Sequence, residues 1–151
     1  VGILMSRLFH IPIILVLIIT LLESANSYAA QRVVVIANIG GEPVSLSRSQ
    51  VRDLFMSGIT RVDEVEVALF PVGMPPGHMA RSIFNASVVG LPESRIQSYW
   101  AQMKFSGRLK PPLEVENVSQ MIELISSSKG AVGYVPEGTK LPTEVQIIHA
   151  P

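Results

Sequence analysis

Cysteine is absent from this chain. That excludes a disulfide framework, a thiolate metal site and a lipid-modified cysteine, and it leaves a hydrophobic core as the means of holding a fold. Histidine is scarce as well. Beyond His10 there are only His78 and His149, far apart in sequence and without a neighbouring ligand cluster, so no metal site is expected. The chain has no Gly-x-Ser-x-Gly elbow, no Gly-x-x-x-x-Gly-Lys loop and no Gly-x-Gly-x-x-Gly fingerprint. Neither sign of charge prevails, since 12 basic side chains face 12 acidic ones; there is no basic footprint for nucleic acid and no charged tail. Glu114 and Glu116 lie in a Pro-flanked segment that reads as a solvated edge rather than an acid/base pair. An enzyme is therefore the least supported class, and no cofactor is called for.

What is present suits one domain with one core: 151 residues, 48% of them hydrophobic. Arg7 and His10 precede an apolar run from Ile11 to Leu22, which gives way to small and polar residues up to Ala30. This is the pattern of a secretory signal peptide. Ser27 and Ala29 suit the small-residue positions before a cut, so residues 1–29 are expected as leader and residues 30–151 as the exported domain. The run is too short to span a bilayer comfortably as a helix. A periplasmic or secreted destination follows, with no membrane span after cleavage.

Along the exported part, Val33 to Ile36 form an unbroken β-branched run, as in a strand covered on both faces, and a parallel central strand is expected. Ser47 and Gln50 make a capping box with Leu46 and Val51 as its staple, and Val51, Leu54 and Phe55 form the stripe of a helix ending at Gly58. A strand over Val67 to Val72 follows, so the three elements read as a β-α-β unit with a right-handed crossover. A second helix opens near Gly77 and ends before Gly90. A third runs from Pro92 to Gly107 with Ile96, Trp100 and Met103 on one stripe. Trp100 reads as core, although Tyr99 and Trp100 together could stack a ligand. Arg108 to Pro112 is a basic, proline-stiffened loop. Asn117 caps a last helix, and strands follow over Ala131 to Val135, with Gly133 inside, and Val145 to His149. The fold class is α/β, one three-layer domain with a mainly parallel sheet of about four or five strands and helices on both faces.

The stretch that carries chemistry is the junction of the second strand with the second helix, Val67 to Phe84. A helix start leaves backbone N–H groups unpartnered and partly positive, so a glycine turn that exposes it is an anion site in waiting. The plainer alternative is a tight turn and nothing more.

The exported part resembles the short, single-domain relatives of the phosphate-binding protein of bacterial phosphate ABC transporters, a branch of the type 2 periplasmic binding proteins. The resemblance rests on Leu46-Ser47-Arg48-Ser49-Gln50-Val51-Arg52-Asp53-Leu54-Phe55, on Tyr99-Trp100-Ala101 with Phe105-Ser106-Gly107, on Pro111-Pro112, and on Gly130-Ala131-Val132-Gly133-Tyr134-Val135. It implies the fold of one lobe of such a protein. It also implies a ligand box after the second strand, which the family writes Arg-Ser-Asp-Gly-Ser-Gly-Thr. With the box's first glycine on Gly77, Met74 stands at the arginine, Pro76 at the aspartate, His78 at the serine and Ala80 at the threonine. The family's side-chain ligands are lost. Gly77 remains, with the amides of His78, Met79, Ala80 and Arg81, and positive charge comes from Arg81 and from His78 when protonated. Those five residues are the candidate ligand site. The implied partners are a small phosphate-like oxyanion and an envelope or transporter protein. Two functions are open: a solute-binding-like protein that takes an oxyanion weakly for uptake or sensing, and an interaction module of the same fold that has given up its ligand.

Overall fold

Strand β1, Val33–Ala37, is buried along its whole length, as its unbroken apolar run requires. Residues 31–151 are described by a computed structural model; the expected leader and its cleavage site lie outside the described residues. The strands that follow are β2, Phe70–Gly73, β3, Leu113–Glu114, β4, Ala131–Pro136, and β5, Gln146–His149. They form one sheet in the order β3-β2-β4-β1-β5.

The sheet is mixed. β2 runs parallel to β3 and to β4, but β1 is antiparallel to both of its neighbours, β4 and β5, with Val35 opposite Tyr134 and Ile36 opposite Ile147. The expected parallel direction of β1 is therefore corrected. So is the β-α-β unit, because β4 inserts between β1 and β2. An apolar run reports that both faces are covered; it carries no information on which way the neighbours run.

Helix α1, Arg48–Met56, starts at the capping box read from the sequence: Ser47 Oγ accepts from the Gln50 amide at 3.2 Å and Gln50 Oε1 accepts from the Ser47 amide at 2.8 Å. Leu46 and Val51 are both buried, as a staple requires. Helix α2, Met79–Phe84, passes into a π-helical turn, Asn85–Val89, that ends at Gly90 with φ 73°. Helix α3, Glu93–Ser106, ends at Gly107, and helix α4, Val118–Ser127, is capped by Asn117, whose Oδ1 accepts from the Gln120 amide at 3.0 Å.

Successive residues of a strand face opposite sides of its sheet, and β4 shows what each side holds. A Cβ on Gly133 would lie 2.3 Å from Met121 Sδ, so α4 sits directly on that face and glycine makes room for it. On the other face Tyr134 stacks on Phe84 with centroids 4.1 Å apart, and Phe55 leans on Phe84 at 4.7 Å, which brings α1 and α2 there. Helices thus cover both faces. β2 begins three residues later than the apolar run suggests, because pairing starts only where Phe70 meets Ala131 of β4.

Helix α3 buries only Ile96 fully. Trp100 is half-buried against the core, edge-on to Tyr99 at 5.0 Å, and the Tyr99 hydroxyl donates to the Met56 carbonyl. The pair works in packing and anchorage, which agrees with the core reading of Trp100. Among the described residues no helix is long and apolar enough to cross a membrane.

Candidate anion-binding site

The Gly77 turn lies just beyond the end of β2. Gly77 has φ +86°, and a Cβ there would meet nothing within 4 Å, so the turn is open as well as left-handed. The His78 amide donates to the Pro75 carbonyl at 3.1 Å, and His78 Nδ1 accepts from the Ala80 amide at 3.2 Å, which makes His78 the N-cap of α2. Two of the four candidate amides are thereby engaged within the turn. Those of Met79 and Arg81 are left as the donors at the helix mouth. Met79 is exposed and Ala80 buried.

Arg81 directs its side chain inward and is only 9% exposed. Its Nε and Nη2 donate to the two carboxylate oxygens of Glu93 at 3.0 and 2.7 Å, a bidentate pair. Its Nη1 donates to the Met74 carbonyl at 2.6 Å and to Glu114 Oε1 at 2.9 Å. Glu93 in turn accepts from Asn85 Nδ2 and from Gln97 Nε2, both at 2.7 Å. The Tyr134 hydroxyl accepts from the Met74 amide at 2.9 Å, so both backbone groups of Met74 are held from within. The Met74 side chain is wholly buried in the core.

The charges follow this wiring. Burial alone would lower the pKa of the Arg81 guanidinium, but its hydrogen bonds to Glu93 and Glu114 and the charge of Glu93 hold it above the ordinary value. Burial pushes Glu93 up, yet Arg81, Gln97 and Asn85 together hold it below the usual carboxylate range. Burial drives the Tyr134 phenol up to about 12. One cation faces two carboxylates here, a local excess of one negative charge. Behind the cluster lies a cavity of about 40 Å³, lined by Phe55, Trp100, Pro112 and Tyr134 with Arg81 and Glu114 at its polar side. It has room for about one or two waters and no more.

Gly77, His78, Met79, Ala80 and Arg81 thus sit together at one turn, but the Arg81 side chain turns away to carboxylates that the sequence did not connect with it. Glu114 is corrected from a solvated edge residue to a partner of Arg81, although its side chain stays 52% exposed. Glu93 was missed as well. Its partner lies 12 residues away and that of Glu114 lies 33 away, beyond any helical spacing that would signal a pair.

No protein-family model matches this chain, and no curated protein sequence matches it. Solved structures do. An ABC-type phosphate transport receptor from Vibrio cholerae aligns at TM-score 0.58 and 18% identity over 78% of this chain and 45% of its own. A Clostridium perfringens structure described as a phosphate ABC transporter substrate-binding protein with bound phosphate aligns at 0.59 and 16%, over 78% and 44%. PstS from Borrelia burgdorferi aligns at 0.53 and 9%, over 72% and 41%. This chain therefore has a fold found in phosphate-transport receptors, and it spans less than half the length of each. The likeness reaches the fold, as the sequence motifs implied.

Proposed function

We propose that this chain is a non-enzymatic, solute-binding-type protein of the periplasm that takes a small oxyanion such as phosphate, weakly, at the Gly77 turn, for uptake or sensing. The observation that carries this reading is Arg81, whose amide stands at the open Gly77 turn and whose buried guanidinium reaches the Met74 carbonyl just beyond β2, on a fold found in phosphate-transport receptors. One of its two carboxylate partners is displaceable. Glu114 sits half-exposed on an edge strand of two residues, whereas Glu93 is bidentate and further secured by Asn85 and Gln97. An oxyanion would replace Glu114 on Nη1 while the Met79 and Arg81 amides meet its other oxygens. Affinity stays low because the incoming anion competes with a carboxylate tethered beside the same cation.

Titration calorimetry with phosphate and sulfate tests this. The wild-type protein should bind only at millimolar levels, and Glu114→Ala, which vacates Nη1, should bind phosphate about tenfold more tightly or better. Absence of heat from both proteins would end the oxyanion reading. The pairing of Arg81 with two internal carboxylates favours a second reading, in which the same fold works only through protein contacts; it would then stand. Export is tested separately. N-terminal sequencing of the periplasmic protein should start within a couple of residues of Ala30.

A further inference from the structure

The end of α3 and the loop behind it form a feature that the oxyanion reading does not use. Phe105 lies in the last turn of α3 and is 96% exposed. Gly107, at φ 66°, closes the helix just behind it: its amide donates to the Lys104 carbonyl and the Arg108 amide to the Met103 carbonyl, both at 3.2 Å. The closed helix end fixes the backbone that carries this aromatic, so covering it orders only the ring's own two torsions. A groove of about 650 Å³ begins at the same helix end, at Lys104 and Gly107, and runs to β3, walled by Leu109, Pro111, Pro112 and Leu113, with Lys110 on its margin and Glu114 at its end. Leu113 is itself 55% exposed.

The charge here leans positive. Lys104, Arg108 and Lys110 are all exposed within five residues of Phe105, and of them Lys104 and Lys110 line the groove, against one half-exposed carboxylate, Glu114. A chain that is neutral overall thus concentrates cations at its exposed aromatic. We infer that this surface docks a protein segment that is acidic and carries an apolar anchor. Three alternatives fit less well. A second copy would bring the same cations against one another if it used the same face. Strand addition at β3 has little to pair with, since the strand is two residues long and Pro111 and Pro112 before it have no N–H to donate. A flat lipid surface could take Phe105 and the lysines but would leave the groove's apolar walls uncovered. The inference goes beyond the oxyanion reading and does not depend on it.

Selection from a display library of randomised peptides, followed by binding measurements on the enriched sequences, tests the surface. Enriched peptides should combine acidic residues with a large apolar one. Their binding should weaken tenfold or more in Phe105→Ala and in the double variant Lys104→Glu/Lys110→Glu, and it should also weaken with added salt. Phe105 touches nothing that holds the fold or the oxyanion site, so Phe105→Ala should melt with the wild type and titrate phosphate as it does. No enrichment, enrichment without acidic residues, or binding that the variants leave unchanged would overturn the proposal. So would sedimentation with phosphatidylserine-rich vesicles that depends on Phe105, which would make the patch a membrane contact. Self-association lost in Phe105→Ala would overturn it too, in favour of a second copy.

Discussion

Glu114 Oε1 lies 2.9 Å from Nη1 of Arg81, which joins the sheet-edge strand β3 to the helix that opens at the Gly77 turn. The two residues are 33 apart in sequence, and their contact puts a half-exposed carboxylate on a buried cation. Glu93 holds the same guanidinium from the first turn of α3.

The two carboxylates should differ in what they contribute. Glu114→Gln removes a half-exposed pair and is expected to cost well under about 1 kcal/mol. Glu93→Gln breaks a bidentate pair and leaves a buried guanidinium short of its main partner; about 1–2 kcal/mol is expected after allowance for partial exposure. Urea melts of the two variants beside the wild type check the order. Equal costs would mean that the bidentate geometry contributes nothing extra.

The same pair predicts an acid dependence. The folded pKa of Glu93 lies below its ordinary value of 4.5, so its contribution is complete above that pH and is lost as pH falls through the folded value. The gap in stability between wild type and Glu93→Gln should therefore narrow as pH drops below about 4.5. Arg81 keeps its charge throughout, because its pKa is raised further. Melts repeated at falling pH measure the gap; a constant one would contradict the pairing.

Tyr134 sets a limit at the alkaline end. Its phenol is raised from 10.0 to about 12, so the stability it contributes is intact below pH 10 and is lost as pH rises toward 12. Tyr134→Phe should abolish this loss in the 10 to 12 window. At neutral pH it should cost about 1–3 kcal/mol, since the Met74 amide loses its acceptor. Absorbance titration of the tyrosines, together with melts at pH 7, separates the two effects.

Two glycines should respond differently to alanine. Gly77→Ala adds a Cβ in open space and meets only the left-handed backbone strain, about 1 kcal/mol. At Gly130, φ +90°, the new Cβ would lie 2.3 Å from the Ala68 carbonyl oxygen, a backbone atom that cannot swing aside. Gly130→Ala should cost about 3 kcal/mol or more, or fail to fold. Comparative thermal melts decide.

Ser47→Ala should remove the capping box at the start of α1 and cost about 1 kcal/mol. An unchanged denaturation midpoint would show that the box is not stabilising.

Much of the scaffold was legible in the sequence by itself. The capping box at Ser47, the Asn117 cap, the helix ends at Gly90 and Gly107 and the burial of Val33 to Ile36 are all decided within a few residues, because capping and apolar periodicity act over about one helical turn or one strand. The left-handed turn at Gly77 and the helix that starts after it were legible for the same reason. What only the tertiary structure decided is non-local. The reversal of β1 came from β4, which enters the sheet beside it from almost 100 residues further along. The pairing of Arg81 came from Glu93 and Glu114, which approach it on α3 and β3 and leave no periodic trace in the chain. A strand's apolar run states that it is covered and a charged residue states that it needs water or a partner; which strand and which partner follow only when the whole chain is packed into one core.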